Sequence, residues 1–160
     1  MTALVPGNKA PDIKLPLLGG GSFFLGDSLS QGRVLLVFFK VSCPVCQYAL
    51  PFTDRLAKRA KGLKVVGISQ DDAKSTELFK KSFGLTYPIA LDELGHYPVS
   101  NAYGLSNVPT MFLVGDDGKI EQTIVSWSKT EIEEIDRLYQ DGAKVPFFPP
   151  GEQVAEFRAG

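Results

Sequence analysis

The sequence predicts an α/β domain with a central mixed β-sheet flanked by helices, and three observations carry that prediction. Val34-Leu35-Leu36-Val37-Phe38-Phe39 is a short, continuous apolar run rich in valine and phenylalanine, which reads as a strand buried on both faces of a sheet. A segment of helical character follows it, and a second apolar run, Leu63 to Ser69, follows the helix. Strand, crossover helix and strand make a parallel pair, right-handed by rule. A third run, Met111 to Val114, passes through Asp116-Asp117-Gly118-Lys119 into an apolar return segment, Ile120 to Trp127. That pattern is a hairpin, and it makes the sheet mixed.

The chain of 160 residues suits one domain with a sizeable core. Residues 1–160 are read as a single domain, with a core over about 10–142 and a tail over 143–160 that docks on it. The formal net charge is −1, with acidic and basic residues interspersed, which argues against a nucleic-acid surface. The longest apolar runs fall far short of a membrane span. Met1 to Gly7 carries neither a basic segment nor an apolar one, so the expectation is a cytoplasmic protein with no membrane association. Both cysteines lie in one short motif, which excludes a structural disulfide scaffold. In a reducing cytosol such a close pair is more often redox-active or metal-binding than structural.

Residues 1–33 are expected to be rich in loops. Ala10 to Pro16 alternates between prolines like an edge strand, Gly19-Gly20-Gly21 is a turn, and Ser22 to Leu25 returns as a hairpin strand. After the first buried strand a helix is predicted to about Ala60, kinked at Pro51 and stopped by Gly62. Leu50, Phe52, Leu56 and Ala60 face the sheet, whereas Arg55, Lys58, Arg59 and Lys61 are assigned to water. Asp71 or Asp72 caps a helix from Ala73 to Phe83, whose apolar face is Leu78, Phe79 and Phe83. Tyr87 to Asp92 is a short extended segment, and Val99 to Gly104 a short helix. Ser128 and Thr130 are rival caps of a last helix with Ile132, Ile135, Leu138 and Tyr139 on its buried stripe and Gly142 as its stop. Beyond it, the aromatic residues Phe147, Phe148 and Phe157 indicate that the proline-rich tail packs on the domain.

The chemistry concentrates in Cys43-Pro44-Val45-Cys46, placed where the first strand ends and a helix begins. The N–H groups and dipole of a helix N-terminus favour thiolate over thiol, and thiolate is the form that attacks a disulfide. Cys46, one helical turn on, can then attack the mixed disulfide from within. Zinc would need two further ligands, and the chain offers one histidine, His96, and no other cysteine.

Phe38 to Cys46 resembles the active-site strand and helix start of the thioredoxin superfamily, with the TlpA/ResA-like thiol–disulfide oxidoreductases and their redoxin domain as the nearest branch. The Ala10-Pro11-Asp12 segment is similar to the opening of many redoxin domains. The resemblance implies a thioredoxin-like fold with an N-terminal extension and a central insertion. It implies exchange with a protein disulfide or dithiol substrate, an upstream thiol reductant, and no metal or organic cofactor. Cys43 would be the nucleophile and Cys46 the resolving thiol. Pro109 would be the cis-proline facing them, and Val108, Pro44 and Val45 would bind substrate, with the Val108 backbone free to pair with a substrate strand. Lys40 is a candidate for tuning the Cys43 thiol, with a lysine in water at a strand end as the simpler reading. Three positions depart from the family pattern: Ser42 replaces a tryptophan, Val37 a buried aspartate and Ala49 a glutamate. Two other readings stand beside exchange. A peroxiredoxin-like thiol peroxidase would need a hydroxyl where Lys40 stands and a proline where Leu36 stands. A non-catalytic binding module would use the frame as a surface.

Overall fold

In a computed structural model describing residues 2–140 and 145–160, Lys14–Pro16 (β1) and Ser22–Phe24 (β2) pair antiparallel around the glycine turn. A five-residue helix, Leu25–Leu29 (α1), follows where the sequence reading continues the strand. Val34–Phe39 forms β3, Pro44–Arg59 forms α2 and Lys64–Ser69 forms β4. The helix continues through Pro51. Next come Ala73–Ser82 (α3), Ile89–Leu91 (β5) and Pro98–Ala102 (α4). Thr110–Val114 (β6) and Ile120–Val125 (β7) form the hairpin, followed by Trp127–Ser128 (β8), Lys129–Leu138 (α5) and Phe157–Arg158 (β9).

The central sheet has the order β5-β4-β3-β6-β7. β3 and β4 are parallel, as are β4 and β5, and β6 joins β3 antiparallel. The sheet is therefore mixed, as the crossover and the hairpin predict. β3 is buried on both faces along its whole length, and its alternation divides the core in two. Leu35, Val37 and Phe39 face a layer made by α2, Phe79 of α3, Ile132 and Ile135 of α5, and Phe147 and Phe148 of the tail. Val34, Leu36 and Phe38 face the N-terminal segment, with Ile13, Phe23 and Leu25, and Tyr103 beyond α4.

Several details differ from expectation, each for a local reason. Asp72 caps α3 by accepting from the Ser75 N–H at 2.7 Å. Thr76 and Phe79 take the buried stripe of that helix, with the Thr76 hydroxyl 2.7 Å from the Ser69 hydroxyl. Leu78, one position off the stripe, is 59% exposed. In α5 the stripe passes through Ile132, Ile135 and Asp136, leaving Leu138 exposed. Ser128 is the cap of that helix, and the Gly142 stop lies outside the described residues. The return strand ends at Val125, because Ser126 turns the backbone at φ +71.

The largest correction concerns the basic face of α2. Arg55 and Arg59 are half-buried and do not face water. Arg55 grips Glu152 through two bonds of 2.8 Å and donates to the Phe147 carbonyl. Arg59 makes a two-pronged pair with the buried Asp136 at 2.8 and 3.2 Å and donates to the Val145 carbonyl. A run of basic residues on one helix face is solvated only when no carboxylate or bare carbonyl is brought to it. Here α5 brings Asp136, and the segment beyond it brings Glu152 and the Val145 and Phe147 carbonyls. Phe147 and Phe148 are buried, while Phe157 in β9 is 61% exposed.

Candidate active site

β3 delivers the chain to a tightly tied turn. The Val41 N–H donates to Asp71 Oδ2 at 2.8 Å, and the Val41 carbonyl accepts from Gln47 Nε2 at 2.9 Å. Asp71 is thus freed from capping α3 and holds the approach to the cysteines instead. Cys43 then occupies the N-cap of α2 with an extended backbone, φ −85 and ψ 114. Its sulfur accepts the Cys46 N–H at 3.1 Å, in the place of a capping hydroxyl. Pro44 at the first helical position has no N–H to lose there. The first turn of the helix therefore points the Cys46 N–H at Cys43 Sγ.

The two thiols sit in different surroundings. Both are free. Cys43 is half-buried, and Cys46 is wholly buried in the α2 layer of the core. Burial, reinforced by the hydrogen bond with Cys43, pushes the Cys46 thiol far above the usual thiol range, and the Lys40 backbone opposes this only partly. One sulfur is therefore partly open at the surface, and the other is kept neutral behind it.

Across from Cys43 lies the loop before β6. The Val108–Pro109 peptide is cis, as the motif leads one to expect. Thr110 Oγ1 donates to the Asn107 carbonyl at 2.9 Å, closing the loop. Cys43 Sγ donates to the Val108 carbonyl at 3.5 Å. Pro44 is exposed and Val45 half-buried beside the pair. Lys40 is exposed and lines a pocket of about 170 Å³ with Gln70, Leu105, Ser106, Asn107 and Val108. His96 pairs with Glu93 Oε1 at 3.0 Å in a loop, 79% exposed. Of the positions that depart from the family pattern, Val37 and Ala49 are fully buried in the apolar core and Ser42 is exposed.

The sequence reading missed the neighbours that the tail brings in. Tyr48 stacks edge-on to Trp127 at 5.6 Å, and Phe52 lies against the same indole at 5.0 Å. Tyr48 Oη accepts the Ala155 N–H at 3.0 Å, and Trp127 Nε1 donates to the Ala155 carbonyl at 2.7 Å. The guanidinium of Arg158 lies 4.7 Å from the Tyr48 ring centre. The Gly160 N–H donates to Ser126 Oγ at 3.0 Å. The available signal was the polar atom on each large aromatic, which needs a partner once the ring is covered. The Val108 backbone, expected to be free, has the last residue of this segment against its carbonyl.

Comparison with known proteins gives a consistent picture. The sequence profile of the redoxin family matches residues 5–140. The thiol-disulfide oxidoreductase ResA of Geobacillus kaustophilus is 33% identical over 136 residues, covering 82% of this chain and 76% of that protein. Among solved structures, the thioredoxin domain of a thiol-disulfide oxidoreductase from Bacteroides vulgatus superposes with a TM-score of 0.75 at 22% identity, covering 86% of this chain and 100% of that one. The peroxidoxin BcpB of Mycobacterium tuberculosis superposes with a TM-score of 0.72 at 23% identity, covering 85% and 96% respectively. The last two likenesses are of fold.

Proposed function

The chain belongs to the redoxin family and is a thiol–disulfide oxidoreductase, and from that premise we propose that Cys43 is its attacking sulfur and Cys46 its resolving sulfur. The observation that carries this assignment is the asymmetry of the pair. Cys43 is half-buried at the helix N-terminus, while Cys46 is wholly buried and held protonated. The Cys43 thiolate attacks one sulfur of a protein disulfide, that S–S bond breaks, and the departing sulfur leaves as a thiolate that takes up a proton. Cys46 then loses its proton and attacks Cys43 Sγ. The mixed disulfide breaks, the second substrate thiolate departs, and the Cys43–Cys46 disulfide remains. Two electrons have passed to the substrate, and an outside dithiol returns them. Val108, whose carbonyl meets Cys43 Sγ, binds the partner together with the exposed Pro44 and the half-buried Val45, and Pro109 shapes the loop across from the pair. Lys40 stands exposed at the rim of the adjoining pocket. The peroxidase reading has less support, since Leu36 is buried within β3 and a lysine stands at position 40.

Equilibration of the pair against dithiol and glutathione buffers tests the proposal. The expected result is a single two-electron transition with formation of an internal disulfide. A midpoint near ~−270 mV marks a reductant and one near ~−120 mV an oxidant. Failure to form an internal disulfide at any poise would defeat the assignment.

A further inference from the structure

The strip of surface beside Cys43 is filled by the chain's own residues 154–160. Val154 and Ala155 pack on the core cluster that Cys43, Val45 and Val108 also join. Ala155 is bonded on both sides, its N–H to Tyr48 and its carbonyl to Trp127. The Lys129 N–H donates to the Glu156 carbonyl at 3.0 Å, and Phe157–Arg158 pair antiparallel with Trp127–Ser128. At the end of the segment a Cβ on Gly160 would overlap the Val108 carbonyl oxygen and come 3.1 Å from Pro109 Cδ. That same oxygen accepts from Cys43 Sγ. One carbonyl therefore touches both the reactive sulfur and the tail.

This is how a peptide docks by adding a strand: main-chain bonds hold it, and close approach is allowed where a side chain is missing. A partner joined to Cys43 by a disulfide brings its own Cα to within about 7 Å of the Cys43 Cα. Its backbone must then run over the strip that residues 154–160 occupy. We propose that this strip, floored by Tyr48, Ser126, Trp127 and Val108, is the docking surface for an extended, cysteine-bearing segment of a partner protein, and that residues 154–160 hold it until the partner displaces them. The inference rests on Cys43 being the exchanging sulfur. A small disulfide carries no such backbone. Residues 154–160 do not line the pocket of Lys40, Gln70, Ser106 and Val108, so they do not bar a small disulfide on that side.

The test uses the full chain carrying Cys46→Ser, so that an adduct on Cys43 persists. One sample is reacted with a cysteine-containing peptide activated as a mixed disulfide with thionitrobenzoate, which leaves as the thiolate. Another is reacted with hydroxyethyl disulfide. Hydrogen exchange is then read at the amides of Ala155, Lys129 and Gly160. The expected result is exchange faster by roughly tenfold or more in the peptide adduct and unchanged in the small adduct. Equal protection in both adducts overturns the inference while leaving the exchange reading intact. Failure to form either adduct overturns that reading and this inference with it. Full-length Gly160→Val gives a second measure, because its side chain cannot sit against the Val108 carbonyl. Its kcat/KM toward insulin disulfides should rise roughly threefold or more, while that toward hydroxyethyl disulfide stays within about twofold. An unchanged rate with insulin contradicts the inference.

Discussion

Replacing Cys46 with alanine should change how stability depends on pH, in a direction and by an amount that the structure fixes. The Cys46 thiol is wholly buried, and burial together with its bond to Cys43 pushes its pKa far upward. In the unfolded chain the same thiol ionises near ~8.5. Below about pH 8 both states hold the proton and the group adds nothing to the pH slope. Above it the unfolded state releases a proton that the folded state keeps. Protons bound in the unfolded state then fall one short of the native count, and stability declines with pH. The slope is roughly 1.4 kcal/mol per pH unit, or about 2 kcal/mol between about pH 9 and 10.5. Burial also raises Tyr87 and Tyr103, with the same sign, but both tyrosines and the burial that raises them are kept in the variant, so their effect largely cancels in the difference. At neutral pH the wild type should be ahead by about 1–2 kcal/mol, because alanine leaves a small void in the core. Urea unfolding of both proteins under a reductant, at about pH 7.5, 9 and 10.5, gives the difference directly. The wild-type advantage should shrink to nothing or reverse at the top of the range. A constant difference would refute the reasoning, because Cys46 would then titrate alike in both states.

Three further outcomes follow from particular contacts. Arg59→Met leaves the Asp136 carboxylate, whose side chain is 3% exposed, without its cation; a loss of about 2–3 kcal/mol in urea unfolding is expected, largely recovered in the double variant with Asp136→Leu. Asp71→Ala strips the acceptor from the Val41 N–H, costing about 1–2 kcal/mol and slowing single-turnover exchange, because the turn before Cys43 loses one of its two ties. Gly67→Ala places a Cβ 3.2 Å from the Phe39 and Tyr87 rings and 3.3 Å from Ile89, so a thermal melt should show a loss of about 1–3 kcal/mol.

The central strands were legible because they are buried on both faces, and a strand in that position has no polar side to obscure it. Val34 to Phe39 and Met111 to Val114 needed no partner to be recognised. The cysteine pair was legible for a similar reason: its chemistry depends on a strand end and a helix start that are adjacent in sequence. What escaped depends on distant partners. Nothing local separates Asp71 from Asp72 as a cap until Val41 arrives to claim the first. Leu78 and Leu138 are as apolar as their neighbours, and only the angle at which each helix meets the sheet exposes them. Arg55 and Arg59 read as solvated because their carboxylates lie 97 and 77 residues away in sequence. The tail has no periodicity to read, since its described contacts are made one by one to Arg55, Arg59 and Tyr48 of α2 and to Trp127, Ser128 and Lys129.

The central claim is an order of events, Cys43 first and Cys46 second. The most direct test is to mix the reduced wild type, Cys46→Ser and Cys43→Ser each with a disulfide-bearing protein, quench by alkylation, and assign the sulfurs by mass spectrometry. The wild type should yield a Cys43–Cys46 disulfide and reduced partner. Cys46→Ser should yield a lasting adduct on Cys43, and Cys43→Ser should yield none. Adducts on Cys46 formed as readily as those on Cys43 would contradict the account, because a buried, protonated thiol would then be the one that attacks.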